Sequence, residues 1–456
     1  MKTHKIDTAS IKRELDGALL GPGEDGWDEG RSVYNLRVDQ KPAAIGIPHS
    51  VADVSALIKF AAANGLRVLV QRTGHESGSF DSLDDTLLIR TSAMGGATFD
   101  PERQMATVGA GALWDDLVPA TSKSGLIALH GSDSGIGVIG YSLAGGLGWY
   151  ARKHGLACNR VKSLEIVDAT GEPRHVDATS FPDLFWALRG GGGNFGVVTS
   201  LEFELLAVAD VFAGSAFFPI ERTGEVFEAW LDWTDSATDE ISSSARVVRF
   251  PPAPALPSHL RGKAFALVQL VALCDEPTAR ASIEPLLQLG PAIQTFGMTS
   301  PLTVPQLHMD PADPIPFLGD GVLIDDVEPE VIETVVDLIG PNSDSTLISF
   351  EFRHLGGALS HSSPSHGALA TIPGRFLEYG AGLAADRAEH AVTARKLEEI
   401  RVALEPVKSG HYLCFAESAV APSTAFASET FGRLMAVKER HDPEGMFRAS
   451  HPLAGG

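Results

Sequence analysis

Residues Gly131 to Gly148 read GSDSGIGVIGYSLAGGLG, with Asp133 the single charged side chain among them. Glycine weakens helix and strand interiors alike, so this run is expected to be neither. Its use is to bring backbone N–H groups close to a ligand, and an anionic phosphate suits such groups best. Two further stretches share the character: Gln71-Arg-Thr-Gly-His-Glu-Ser-Gly78 upstream and Gly190-Gly-Gly-Gly-Asn-Phe-Gly196 downstream. Three such loops predict one large anionic cofactor wrapped between them. Gly135 to Gly140 also fits GxGxxG, but no strand run directly precedes it, whereas a dinucleotide fingerprint follows a strand and opens a helix. A nicotinamide-dependent reductase using Gly135–Gly140 is the alternative this leaves open.

Working outward, Ser50 caps an amphipathic helix over 51–64, with Val54, Leu57, Ile58 and Ala61 at helical spacing. Strands are expected at 44–47 and 67–71, so the Arg72–Gly78 loop leaves a strand end, where open α/β sheets bind ligands. Short strands follow at 86–90, 97–99 and 105–108, then a helix over 112–122. A hairpin is expected over 164–176, a helix over 183–189 and an alternating strand over 197–206. Ser10 to Leu20 reads as a short helix. Beyond 208 the texture changes to long strands (214–220, 243–250, 264–272, 346–354) and helices (221–234, 278–289, 329–339, 386–404). His411 to Ala416 reads as a strand and Ala427 to Arg440 as a helix. Boundaries are expected near 208 and after Leu404.

At 456 residues the chain can hold two or three domains, and 44% hydrophobic content allows each a core. A net charge of -22 argues against nucleic acid and against anionic membrane surfaces as partners. The first residues, MKTHKIDTASIKREL, hold no apolar segment of the kind a secretory signal carries, and no apolar run is long enough to span a membrane. Cys158, Cys274 and Cys414 are too far apart for a disulfide framework or a thiol metal site, and no HExxH occurs. A cytoplasmic protein without a metal is expected, of unknown oligomeric state.

The ordered set RTGHESGSF, GVIGYSLAGGLGWYARKHGLACNRV, DLFWALRGGGGNFGVVTSLEFEL and RLMAVKERHDPEGMFR resembles the FAD-linked oxidases of the vanillyl-alcohol oxidase / p-cresol methylhydroxylase superfamily, specifically the berberine bridge enzyme-like branch. The resemblance runs from about Pro42 to Phe447 and is most specific from Val138 to Phe203. It implies an α+β fold: a two-part FAD-binding domain (PCMH-type) with an inserted substrate domain of antiparallel sheet backed by helices. The expected division is 1–207 and 411–456 for FAD and 208–410 for the substrate. His75 falls on the histidine that bonds covalently to the flavin 8α-methyl carbon. Asp133 stands where many members carry a second linking cysteine, so a single covalent link is implied, with a narrower site that disfavours bulky oligosaccharides. The cofactor-binding residues so implied are Arg72, Thr73, Gly74, His75, Glu76, Ser77 and Gly78; Ser134, Gly135, Gly137, Val138, Gly140, Tyr141, Gly145, Gly146 and Gly148; and Asn194, Phe195, Gly196, Val197 and Val198. Two asparagines common in the family are absent, replaced in the stretches Tyr412-Leu413-Cys414 and Thr430-Phe431. Their loss also keeps open a flavin-binding protein without catalysis.

Flavin oxidation of an alcohol or amine needs a base for the O–H or N–H proton and a carbon hydride facing the cofactor. Tyr412 matches the family tyrosine that often serves as base, and Glu351, Glu378 and Tyr379 are the other candidates. A free phenol has a pKa near 10, so a tyrosine base needs a neighbour that shifts it. The expected activity is hydride transfer from a small alcohol, amine or secondary metabolite to FAD, with molecular oxygen reoxidising the flavin to give hydrogen peroxide.

Overall fold

The computed structural model describes residues 11–254 and 256–453. Its first sheet is built from Ala44–Ile47, Thr86–Arg90 and Arg67–Gln71 in parallel, edged by Ala18–Leu20 on one side and by Phe447–Arg448 on the other. The tail of the chain thus completes a sheet begun at its start. Helix Val51–Ala63 covers one face, its N-terminus capped by the Ser50 hydroxyl accepting from Asp53 N–H. Val54, Leu57, Ile58 and Ala61 sit in one core with Val68, Leu87 and Ile89, the stripe that helical spacing predicts. The buried Asp53 carboxylate accepts from the backbone N–H of Asp16, Gly17 and His49. That tether explains why the helix expected over Ser10 to Leu20 does not form. Ser10 lies outside the described residues, a short 3-10 turn occupies Ile11–Arg13, and Ala18–Leu20 is drawn into the sheet.

A second, antiparallel sheet runs Ala97–Asp100, Met105–Gly109, Val197–Glu204, Val161–Val167, Pro173–Asp177. The glycine-rich stretch packs beside it. Contrary to expectation that stretch contains a helix, Val138–Leu143, starting at Gly137. Val138, Ile139 and Leu143 anchor it in the core with Trp114, Phe195 and Leu201, enough burial to override the neighbouring glycines. The helix expected over 112–122 is broken into a 3-10 turn at Trp114–Asp116 and a helix at Val118–Lys123, where Pro119 can be housed in the first turn.

The third sheet is antiparallel and holds the long strands of the second half, ordered Val211–Pro219, Ala264–Ala272, Ile241–Arg249, Leu347–His354, Phe376–Leu383, Phe317–Ile324, Lys408–Gly410. Helices Thr223–Thr234, Glu276–Leu287, Pro329–Ile339 and Arg387–Leu404 contribute to a core with it that includes Phe212, Phe227, Trp230, Val335, Phe350, Phe352 and Leu404. Helices on one face leave the other free to form the wall of a cavity. Strands 317–324 and 376–383 were not expected from the sequence. The segment expected as a strand at 411–416 is instead a 3-10 turn at Leu413–Phe415, because the Tyr412 hydroxyl is held by Gly146 N–H at 2.9 Å and pulls the chain off the sheet edge. The fold is α+β, with an FAD-binding part made from both ends of the chain and an antiparallel sheet backed by helices between them.

Candidate active site

A cavity of about 890 Å³ lies between the glycine loops and the free face of the third sheet. Strand 67–71 delivers Arg72, Thr73, Gly74, His75 and Glu76 to its wall. Gly74 has φ +74°, and a Cβ there would stand 2.5 Å from Val33 Cγ1, so the turn that aims His75 needs glycine. The imidazole stacks on Tyr34 at 4.0 Å, and its Nδ1 meets the Thr73 hydroxyl at 2.8 Å. Burial lowers its pKa to about 4, with Asp310 opposing weakly, so the ring is neutral at physiological pH.

From the central stretch Gly137, Gly140 and Tyr141 reach the cavity, and from the third loop Asn194, Gly196 and Val198 do. Other residues expected at the cofactor stand behind this wall. Val138, Phe195 and Val197 are core. A Cβ on Gly145 would lie 2.9 Å from the Tyr412 hydroxyl, and one on Gly148 would lie 1.9 Å from His130 O. Gly145, Gly146 and Gly148 therefore serve backbone packing. Ser77, Gly78, Ser134 and Gly135 also lie off the cavity surface; Gly135 N–H is tied to the Asp133 carboxylate. Asp133 itself lines the cavity, with a pKa raised by burial.

The opposite wall is side-chain chemistry in cross-strand register. Arg246, Glu351, Tyr379 and Gly321 form one row across four strands. Glu351 is fully buried; burial raises its pKa, but Arg353 and His308 outweigh this and hold it at about 2. Arg353 Nε donates to its Oε1 at 2.8 Å, and His308 Nε2 lies 2.9 Å from its Oε2. His308 Nδ1 meets Asp310 at 2.6 Å, so the imidazole is flanked by two carboxylates. As an ionised, fully paired group Glu351 is a poor proton acceptor. Burial, then Cys414, pushes the Tyr412 hydroxyl well above its usual range, and it is already committed to Gly146. Burial, then Glu417, pushes the Tyr379 hydroxyl well above its usual range too, but it differs in having a carboxylate to donate to, Glu417 Oε1 at 3.3 Å.

His308, Asp310, Arg246, Arg353 and Glu417 were not expected at the site. Arg246 and Arg353 come from paired strands and His308, Asp310 and Glu417 from loops remote in the chain, so no local pattern marks them. The tail was partly legible: Arg448, the last residue of the HDPEGMFR motif, and Ala449 to His451 after it line the cavity, and the Asn194 carboxamide oxygen accepts from Leu453 N–H at 3.2 Å.

The cavity fits a flavin dinucleotide. Positions where a Cβ on Gly140, Gly192 or Gly193 would stand are open, leaving room for a ligand against the backbone. The Tyr141 hydroxyl, both His451 ring nitrogens and Glu417 Oε2 are buried without a hydrogen-bond partner among the described residues. Buried polar groups are nearly always satisfied, so such a cluster marks a place for a polar ligand. Residues 42–177 match the FAD binding domain family. Over its whole length the chain is similar to (R)-6-hydroxynicotine oxidase of Paenarthrobacter nicotinovorans, 25% identical over 96% of this chain and 97% of the relative. It is 35% identical to xylooligosaccharide oxidase of Thermothelomyces thermophilus over 45% of this chain and 42% of that protein. Among solved structures, a berberine bridge enzyme-like protein of Physcomitrella patens shares the fold, with a TM-score of 0.83 over 98% of this chain and 99% of that one at 19% identity. The chain is an FAD-dependent oxidoreductase. Its fold is that of the berberine bridge enzyme-like proteins.

Proposed function

We propose that the protein oxidises a small, largely apolar alcohol or amine, with molecular oxygen as final acceptor and hydrogen peroxide as product. The observation that carries this reading is the sheet wall. Its charged row is narrow and internally paired, and around it the cavity is lined by Val248, Phe250, Pro251, Met309, Ile348 and Leu383. Such a surface suits a small apolar body with one polar end and offers little to the many hydroxyls of an oligosaccharide. The proposed division is 1–207 and 411–456 for the cofactor and 208–410 for the substrate.

FAD, when bound, supplies the acceptor for a hydride from the substrate carbon. The backbone of the glycine loops and Arg72 would hold its pyrophosphate, and the neutral His75 would carry one covalent bond to its 8α-methyl carbon. Asp133 offers no thiol for a second bond. Arg246 and Arg353 keep Glu351 and His308 in place, so the row can orient the polar end of the substrate. Among the candidate bases, Tyr379 alone donates its hydroxyl proton to a carboxylate, that of Glu417.

Acid precipitation of purified protein tests the cofactor reading. Yellow colour should stay in the wild-type pellet and be released from His75→Ala; release from both would overturn the covalent assignment. Peroxide release with benzyl alcohol, benzylamine and xylobiose tests the substrate reading. Turnover of xylobiose in preference to the benzyl compounds would overturn it.

A further inference from the structure

Glu417, the acceptor of the Tyr379 hydroxyl, occupies a singular place. It follows the turn at Leu413–Phe415, and its backbone oxygen would lie 3.1 Å from a Cβ on Gly78, at the end of the His75 loop. One carboxyl oxygen accepts from the Tyr379 hydroxyl, and the other is buried and unpartnered among the described residues. The Tyr379 ring is held edge-on by Phe415 at 5.3 Å and lies over glycine on its neighbouring strand: a Cβ on Gly319 would stand 2.4 Å from its hydroxyl. Tyr379 and Glu417 both line the cavity, in the same region as Glu351 and Arg353.

We propose that Glu417 is the proton acceptor behind Tyr379: the substrate O–H or N–H proton passes to the Tyr379 oxygen as the Tyr379 proton passes to the Glu417 carboxylate. This rests on the FAD-dependent oxidation proposed above. The balance closes. The substrate loses a hydride to FAD and a proton to Glu417, two electrons in all, and its C–O or C–N single bond becomes a double bond. Glu417 ends as a neutral carboxyl and Tyr379 is regenerated with a different hydrogen. Glu417 acts through Tyr379 and is a positioning residue.

The surroundings of Glu417 suit an acceptor. Glu76 faces it from the His75 loop and Asp320 from strand 317–324, both carboxylic; Arg37 is the facing cation, and His451 and Cys414 stand beside Glu76. Burial first, then Glu76, pushes its pKa up to about 8, against the Tyr379 bond and Arg37. A carboxylate so destabilised takes a proton readily, unlike Glu351 with its matched cations. The base form exists above about pH 8, so the rate of flavin reduction should rise with pH through that value and then level.

The test uses holoenzyme. Infrared difference spectra between pH 6 and 10 should show a protonated-carboxyl band titrating near pH 8 in wild type and missing in Glu417→Gln. Anaerobic bleaching by benzyl alcohol or benzylamine should be about 100-fold or more slower in Glu417→Gln, the range of general base catalysis, with the alkaline limb gone. Tyr379→Phe should lose as much, the double variant no more than either, and Glu417→Asp should restore the limb. A band that survives in Glu417→Gln, or its absence from wild type, overturns the proposal, as does a retained limb in Glu417→Gln. Failure of every probe to bleach wild type would count against the proposed substrate class, and the infrared titration would still decide for or against Glu417.

Discussion

The two walls of the cavity are built by opposite means. The loop wall presents backbone, with glycine at Gly137, Gly140 and Gly190 to Gly193, and few charged side chains. The sheet wall presents long charged side chains on rigid strands, with His308 and Asp310 added from a neighbouring loop, each tied to the next: Arg246 to Gln269 and Ser349, Arg353 to Glu351, His308 to Glu351 and Asp310. Backbone N–H groups recognise phosphate whatever the rest of the ligand, whereas a side-chain row can be rewritten one residue at a time. The difference teaches that a change in the loop wall should appear as lost cofactor, and a change in the sheet wall as lost rate or stability with cofactor retained.

The largest effect expected is at Glu351, where that separation is most exposed to failure. Glu351→Gln leaves Arg246 and Arg353 without their anion in a buried site, which costs about 3–5 kcal/mol. Thermal unfolding at neutral pH should show a large drop in Tm, while protein that does fold should still be yellow. Loss of flavin from folded Glu351→Gln would break the comparison. The sign with pH follows from its lowered pKa of about 2. The stabilisation by Glu351 is fully present above the ordinary carboxylate range and is lost as pH falls through about 2. Wild type should therefore lose stability over this acid range more steeply than the variant.

A smaller effect is expected at Gly319, a glycine of the sheet wall. There a Cβ would stand 2.4 Å from the Tyr379 hydroxyl, so Gly319→Ala must push the ring aside at about 1–3 kcal/mol of overpacking. Folded protein should keep its flavin and lose most of its reduction rate, as is expected of Tyr379→Phe. An unchanged rate would place Tyr379 outside the chemistry.

Gly319 also shows why one wall was legible and the other was not. FLGDGVLI at 317–324 and FLEYGAGL at 376–383 carry glycines inside the strand. Glycine lowers strand propensity, so neither reads as a strand, yet glycine is what lets the Tyr379 ring lie across its neighbour. The site's own geometry erased the local signal. Strands 264–272 and helix 329–339, which carry no such duty, stand where the sequence put them. The loop wall was legible because its function resides in glycine itself: the three loops were visible before any fold was known. Even there, sequence could not separate Gly140, open to the cavity, from Gly148, pressed against His130 O. That distinction depends on contacts between residues remote in the chain.

The smallest effect sharpens the comparison inside the loop wall, at one of its few side-chain contacts. Thr73 Oγ1 meets His75 Nδ1 at 2.8 Å, while Tyr34 holds the ring face. Thr73→Val keeps the shape and removes one hydrogen bond, worth about 1 kcal/mol, or roughly a fivefold change in rate. Apoprotein mixed with FAD should therefore acquire acid-stable flavin several-fold more slowly in the variant, yet reach the same end point, because the loop backbone still holds the ligand. With His75 titrating near 4, attachment in both proteins should be independent of pH above about 5 and fail below 4, where the protonated ring has no lone pair to give. An end point reduced in Thr73→Val would mean that side chains, and not backbone, decide occupancy on this wall as well, and the contrast between the two walls would collapse.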